Sequence, residues 1–235
     1  MKHTLLIKDW LSSFLSLLFP RCCVVCGRPL AKGEECICTV CNINLPRTNY
    51  HLRKDNPVER LFWGQIPLER ATSFFFYEKG SDFRLILHRL KYGGQKEIGA
   101  IMGRYMAAEL LSSNFFQGID VIIPIPLHKK KQQIRGYNQS EWIARGIAAV
   151  TGIPIDTESI LRKKNTETQT RKSVFERRDN VEGIFELQHP ETLAGKHILI
   201  VDDVLTTGST TLACASCLVD VEDIRISILT LATVE

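Results

Sequence analysis

Short apolar runs alternate with amphipathic stretches along the chain from residue 70 onward. Apolar runs of roughly four to eight residues between turn residues are typical of buried strands, and we predict strands at Arg70–Tyr77, Asp120–Ile125, Pro154–Asp156, His197–Val201 and Ile224–Thr230. Apolar residues at helical spacing predict helices at Ser81–Tyr92, Ile98–Leu111, Asn138–Val150 and Ser209–Val219. This alternation predicts an α/β fold with a doubly wound, mainly parallel sheet, in which ligands bind at the carboxyl ends of the strands.

The first residues carry a separate amphipathic pattern. Apolar residues recur at roughly helical spacing between Leu5 and Phe19, which predicts an amphipathic helix. Lys8 and Asp9 interrupt this stretch, no small-residue cleavage site follows it, and it is too short to span a bilayer. We therefore expect neither an export signal nor a transmembrane segment. The helix is expected either to pack against the module that follows it or to contact a membrane surface.

The composition is that of a folded protein, and its net charge is concentrated at one end. Of the 235 residues, 44% are hydrophobic and 24% are charged, which excludes a disordered chain. The formal net charge of +4 falls within residues 1–57, whereas residues 58–235 carry equal numbers of basic and acidic residues. This excess is compatible with an anionic partner for the N-terminal part and equally with a role in solubility.

Six of the eight cysteines lie between residues 22 and 41. Two CxxC pairs, Cys23/Cys26 and Cys38/Cys41, supply the closed shell of four thiolates that structural zinc prefers. Clustered cysteines beside an α/β pattern favour a metal site over disulfides. Cys22 or Cys36 can replace one of these four ligands. An iron–sulfur cluster is the alternative to a zinc ion at this site. We predict a metal-dependent module, with its N-terminal helix, at residues 1–57 and a larger α/β domain at residues 58–235.

The run from Ile198 to Thr210 carries most of the site chemistry. Its apolar part predicts a strand buried on both faces, and Asp202-Asp203 at its end can accept hydrogen bonds from vicinal hydroxyls. A short loop then opens a helix with Thr206, Thr207, Gly208, Ser209 and Thr210. The N–H groups and dipole of a helix start form a phosphate cradle together with such hydroxyls. A site for vicinal hydroxyls followed by a phosphate cradle predicts a 5-phosphoribosyl ligand.

This segment resembles the motif by which type I phosphoribosyltransferases bind phosphoribosyl diphosphate (PRPP). Other segments resemble the ComF family, which joins a zinc ribbon to such a domain. Pro124–Lys129 with Arg135–Gln139 is similar to the diphosphate loop of that family and the helix after it. Thr168-Gln169, Arg177–Val181, Gly183 and Phe185 are similar to its mobile flap, and the cysteine module is similar to its zinc ribbon. The resemblance covers nearly the whole chain.

The resemblance implies a type I phosphoribosyltransferase fold and a set of functional residues. Asp202, Asp203 and Arg135 are implied as catalytic residues. The implied PRPP-binding residues are Asp202, Asp203, Val204, Thr206, Thr207, Gly208, Ser209, Thr210, Pro126, Leu127 and Lys163. Mg²⁺ is implied as the ion that accompanies PRPP, and Zn²⁺ as the structural ion of Cys23, Cys26, Cys38 and Cys41. Seven basic residues against two acidic ones in residues 162–178 favour a flap that closes on a diphosphate, with a solvated surface as the alternative.

Three functions from different classes follow from the resemblance. The first is an accessory role in DNA uptake during natural transformation, in which the protein handles incoming single-stranded DNA beside a helicase-like ATPase. The second is an active phosphoribosyltransferase of nucleotide metabolism or salvage, and the third is a PRPP-sensing regulator or adaptor. We expect a cytoplasmic protein that is at most peripheral to the inner face of the membrane. We do not expect a glutamine-using amidotransferase, because no cysteine lies near residue 2.

Overall fold

The computed structural model describes residues 20–163 and 183–234. The amphipathic N-terminal segment and most of the basic segment, with Thr168, Gln169 and Arg177–Val181, lie outside the described residues. In chain order the strands are β1 (Leu68–Phe76), β2 (Val121–Pro124), β3 (Ile160–Arg162), β4 (Phe185–Leu187), β5 (His197–Leu205) and β6 (Arg225–Thr233). Within this described part, four parallel strands form the central sheet in the order β1-β6-β5-β2, while β3 and β4 form an antiparallel pair. The predicted α/β fold with a parallel sheet is confirmed.

One predicted strand is much reduced, and one strand pair was not predicted. In place of a strand at Pro154–Asp156, Ile155 makes only an isolated parallel bridge to Ile122. The Asp156 carboxylate then accepts hydrogen bonds from the N–H groups of Glu158 and Ser159, and this turn leads the chain away from the sheet. The β3–β4 pair was not predicted, because strands of only three residues are too short to show a periodic pattern.

The described helices are α1 (Thr39–Ile43), α2 (Pro57–Arg60), α3 (Arg84–Tyr92), α4 (Glu97–Leu110), α5 (Lys129–Arg135), α6 (Gln139–Thr151) and α7 (Ser209–Ser216). Helix α3 begins later than predicted, because Ser81 accepts a hydrogen bond from the N–H of Phe83 in a preceding turn. Helix α5 was not predicted, because its lysine-rich sequence has no apolar face. Within the described ranges, short 3₁₀ turns lie at Tyr50–Leu52, Leu111–Ser113 and Pro190–Thr192.

Both faces of the sheet are covered. Helices α3, α4 and α6 pack on one face, and α2, α7 and the β3–β4 pair on the other. Helices α4 and α6 approach closely because both carry glycine at the crossing. A Cβ atom on Gly146 would lie 2.1 Å from the carbonyl oxygen of Ala100, and one on Gly103 would lie 2.3 Å from that of Ile143. This crossing sets the position of α6, whose first residues reach the carboxyl edge of the sheet.

The cysteine module rests against the α3–α4 face of the larger domain. Its buried cysteines share one apolar core with the helices of that face. Arg104 on α4 forms an ion pair with Glu35, and Arg47 Nε lies 2.6 Å from a carboxylate oxygen of Glu109. The connector then runs along β1, where the N–H of Phe76 donates to the carbonyl of Pro46. The division into residues 1–57 and 58–235 stays a prediction. Of the helices within residues 20–163 and 183–234, none has the length and apolarity needed to cross a membrane.

Candidate functional site

The acid pair lies near the carboxyl end of β5, where α3 and α6 meet the sheet. Oδ1 of Asp202 accepts hydrogen bonds from the Ser140 hydroxyl at 3.0 Å and from the N–H of Asp203 at 2.8 Å. Oδ1 of Asp203 lies 3.1 Å from Nζ of Lys91, the second-last residue of α3. Asn138 caps α6 by accepting from the N–H of Ser140, which places the serine hydroxyl at the acid pair. Three elements therefore position the two carboxylates.

The pKa of the Asp202 carboxyl is shifted toward neutrality. Burial, reinforced by the negative charge of Asp203, raises the pKa of Asp202 to about 7. The N–H of Asp203, the Lys91 ammonium and the Ser140 hydroxyl oppose this rise, because each favours the charged carboxylate. A carboxyl group with a pKa near neutrality can both donate and accept a proton at physiological pH. Asp202 is thus suited to hydrogen bonding with a hydroxyl-rich ligand and to proton transfer.

The loop after β5 has the geometry expected of a phosphate cradle. Gly208 has φ +75°, a left-handed conformation that side chains rarely adopt, and it leads directly into α7 at Ser209. Thr206 and Thr207 are exposed, and Oγ1 of Thr207 lies 2.9 Å from Oγ of Ser209. Because the first N–H groups of a helix have no acceptor within it, this end of α7 can bind an anion. Of the other predicted residues here, Val204 is half-buried in β5 and Thr210 is exposed on α7.

A cleft of about 480 Å³ opens after β2. Pro126 and Leu127 of the predicted diphosphate loop line it, together with Lys163 at the end of β3 and Lys129 at the start of α5. Arg162 also lines the cleft, and burial lowers its pKa while the charge of Asp202 works in the opposite direction. Lys163 pairs with Glu186 of β4. The cleft is thus bordered by cations and also by the carboxylates of Glu141 and Glu186.

The predicted PRPP-binding residues fall into two adjoining groups. Pro126, Leu127 and Lys163 line the cleft, whereas the acid pair and the 206–210 loop lie beside it without lining it. Asn138 joins the two groups, because it lines the cleft, donates to the carbonyl of Ile125 and caps the helix that carries Ser140.

Arg135, which the resemblance implies as a catalytic residue, contacts Gln139 and Tyr92. Its Nη1 donates to Oε1 of Gln139 at 2.8 Å, and its guanidinium lies 5.4 Å from the centre of the Tyr92 ring. The structure thus places Arg135 beside Tyr92, the last residue of α3, and not among the residues that line the cleft.

Sequence reasoning missed Lys91 and Ser140. Lys91 stands before Tyr92 and Gly93 at a helix end, where a cation is expected merely to complement the helix dipole. Ser140 follows a capping asparagine and carries no signal of its own. Both contact the acid pair only because three elements converge at this edge of the sheet.

The four cysteines predicted as zinc ligands come together in the structure. The Sγ atoms of Cys23, Cys26, Cys38 and Cys41 all lie within 4.8 Å of one another. Zinc–sulfur bonds of about 2.3 Å in a tetrahedron put the sulfurs about 3.8 Å apart, and the Cys26 and Cys38 sulfurs are 3.7 Å apart. This donor set can hold a metal such as zinc. Of the two alternative ligands, Cys22 is exposed and donates to the carbonyl of Pro20, and Cys36 is buried outside the cluster.

Comparison with known proteins identifies several relatives. No protein-family model matches the chain. It is 32% identical over 209 residues to the DNA utilization protein YhgH of Escherichia coli O157:H7, with 83% of this chain and 88% of the relative covered. It is 26% identical to the competence protein ComFC of Bacillus subtilis, with 90% and 83% covered. Among solved structures, the glutamine PRPP amidotransferase from B. subtilis is 20% identical at a TM-score of 0.35, covering 57% of this chain and only 26% of that longer chain.

Proposed function

The chain belongs to the ComF family, and from this premise we propose that its α/β domain binds PRPP and that the protein handles incoming single-stranded DNA in DNA uptake. The names of its relatives, which refer to DNA utilization and competence, support the second part. The first part is supported by the residues at the carboxyl edge of the sheet.

The observation that carries the proposal is that an acid pair on β5 is followed directly by a loop and a helix start that can bind an anion. Strand β5 brings Asp202 and Asp203 to the edge of the sheet, and the loop after it turns through Gly208 into α7. In the proposed complex the ribose hydroxyls donate to the two carboxylates, and the 5-phosphate accepts hydrogen bonds from the N–H groups and hydroxyls of residues 206–210.

The cleft is the proposed place for the diphosphate. Lys129, Lys163 and Arg162 bring three cations to its walls, and cations offset the charge that develops as a diphosphate leaves. Asp202 and Asp203 would hold the ribose hydroxyls, and Mg²⁺, which keeps a water-rich coordination shell, would offset the charge of the bound diphosphate. Zn²⁺ is the proposed structural ion of the four-cysteine cluster, where all four ligand positions belong to protein.

Calorimetric titration of Mg·PRPP into the purified protein tests the proposal. We expect saturable binding by the wild type and loss of binding in the Asp202→Asn/Asp203→Asn variant, which keeps the shape of both side chains. Asp220→Asn is the matched control, because Asp220 is an exposed carboxylate beyond the end of α7. A wild type that does not bind Mg·PRPP, or a double variant that binds it equally well, would contradict the PRPP part of the proposal.

A transferase reaction is the second candidate, and the raised pKa of Asp202 favours it. A carboxyl group with a pKa of about 7 is matched to removing a proton from an acceptor at neutral pH. Release of diphosphate from PRPP, measured across a panel of bases and amines, tests this function. Diphosphate release that requires both an acceptor and Asp202 would support a transferase. No release with any acceptor would contradict it and leave PRPP binding as the only supported function of the domain.

The cellular setting is proposed on family resemblance. We place the protein in the cytoplasm, peripheral to the inner face of the membrane, next to a helicase-like ATPase that delivers single strands. Co-purification of such an ATPase with the tagged full-length chain, in the presence of single-stranded DNA, tests this setting. Failure to recover any ATPase would contradict it.

A further inference from the structure

Three aromatic rings and three cations interleave on the surface next to the acid pair. The six residues, which we call the aromatic–basic surface, are His88, Tyr92, Lys96, Arg135, Trp142 and Arg145. They come from α3, the α3–α4 turn, α5 and α6, so the chain brings them together only on folding.

The contacts between these residues form two groups, one around Tyr92 and one around Trp142. The rings of His88 and Tyr92 are 5.3 Å apart, and the guanidinium of Arg135 lies 5.4 Å from the Tyr92 ring. Arg135 donates to Gln139, which lies one helical turn before Trp142 on α6. The Trp142 ring in turn lies 4.7 Å from Nζ of Lys96 and 4.9 Å from the guanidinium of Arg145.

Part of this surface is accessible: His88, Tyr92 and Arg145 are exposed, whereas Lys96, Arg135 and Trp142 are half-buried. Tyr92 is 69% exposed, although tyrosine rings are usually at least partly buried in folded proteins. Lys129–Arg135 contains four basic residues and no acidic one, so α5 adds positive charge beside the rings. Arg145 is partly neutralised by Glu141 at 2.7 Å. The positive charge is therefore concentrated near Tyr92 and Arg135.

We propose that the aromatic–basic surface binds single-stranded DNA, with bases stacked on its rings and phosphates held by its cations, and leads the strand toward the acid pair. This proposal rests on the DNA-handling part of the proposed function. Rings that alternate with cations fit a single strand, because unpaired bases expose their faces for stacking and each carries a phosphate at a regular interval. The guanidinium edge of a stacked arginine can still donate to a phosphate. Lys91, adjacent to Tyr92, joins the surface to Asp203.

Binding of a labelled oligothymidylate of about 16 nucleotides, a length within the usual site size of single-strand binders, tests the proposal by fluorescence anisotropy. We expect Tyr92→Ala to weaken binding at least about fivefold, as loss of one stacked base does, and Tyr92→Phe to retain it. Lys96→Gln is expected to weaken binding and to reduce its salt dependence between about 50 and 200 mM. Tyr92 is exposed, so its substitutions should leave the thermal melting curve unchanged.

Trp63→Ala is the matched control. Trp63 is 52% exposed and has the guanidinium of Arg60 5.9 Å from its ring, but it follows Phe62, which belongs to the core on the other face of the sheet. The proposed surface would be overturned if Tyr92→Ala bound DNA as well as the wild type, or if Trp63→Ala weakened binding as much as Tyr92→Ala. Either result would leave the DNA-handling part of the proposed function intact. Equal binding of a duplex would overturn stacking. A wild type that binds Mg·PRPP but no DNA would overturn this proposal together with the DNA part of the proposed function.

Discussion

The ion pair between Lys91 and Asp203 offers the sharpest test of how the acid pair is held. We consider Lys91→Met, which keeps the length of the side chain and removes its charge. The two side chains are only 21% and 11% exposed, and their charged atoms are 3.1 Å apart. Without Lys91, the Asp203 carboxylate would remain largely buried beside a second carboxyl group and would lose the cation it contacts.

The expected loss can be worked from this distance. At 3.1 Å and an effective dielectric constant of about 20, two unit charges attract by roughly 5 kcal/mol. Water that reaches the exposed part of Lys91 reduces this figure, whereas removing one partner of a buried pair typically costs about 3–5 kcal/mol. We therefore expect Lys91→Met to lower the free energy of unfolding by about 2–4 kcal/mol. Binding of Mg·PRPP should weaken as well, because the acid pair would lose its position.

Urea unfolding of Lys91→Met, Asp203→Asn and the double variant measures the coupling between the two residues. We expect a coupling energy of about 2–3 kcal/mol, at the upper end for residues in contact. The Arg145–Glu141 pair on α6 is the control, because Arg145 is 54% exposed and such helix-surface pairs are worth only about 0.3–0.5 kcal/mol. A coupling energy for Lys91 and Asp203 no larger than that of the control would refute the reasoning.

Two further predictions concern the metal centre and Asp202. Cys26→Ser should lose zinc whereas Cys22→Ser keeps it, because the Cys22 thiol contacts Pro20 and lies outside the cluster; equal zinc contents of the purified variants would argue against this ligand set. The pKa of Asp202 is about 7 in the folded protein against an ordinary value of 3.8. Between about pH 4 and pH 7 the folded protein therefore keeps a proton on Asp202 that the unfolded chain has already released. Stability of the ligand-free protein should therefore fall as the pH rises from about 4 to about 7, and Asp202→Asn should flatten this fall. Urea titrations across that window check the prediction, which parallel curves for the two proteins would contradict.

The central elements of the fold could be predicted from the sequence because each depends on residues close together in the chain. The apolar run of β5 and the glycine that ends α3 are local signals, and both are where the pattern indicates. Elements that lack such a pattern were missed. Helix α5 contains one apolar residue, Ile134, which is 85% exposed, and β3 and β4 become strands only by pairing with each other.

The residues of the candidate site likewise divide into those that the sequence predicted and those that it did not. The acid pair, the loop at Gly208 and the two CxxC pairs are contiguous motifs whose chemistry is evident from their spacing. Lys91, Ser140 and the placement of Arg135 against Tyr92 depend on where α3, α5 and α6 end relative to the sheet. No local pattern indicates those positions.

The sequence by itself determined the fold class, the likeness to the ComF family and the residue types of both sites, since these depend on periodicity and short motifs. Only the tertiary structure decided which cysteines converge, which cation holds Asp203 and which rings meet which cations. The physical reason is that these contacts join residues far apart in the chain. Their distances are set by the packing of helices on the sheet, as at the glycine crossing of α4 and α6, and side-chain packing of this kind leaves no periodic trace in the sequence.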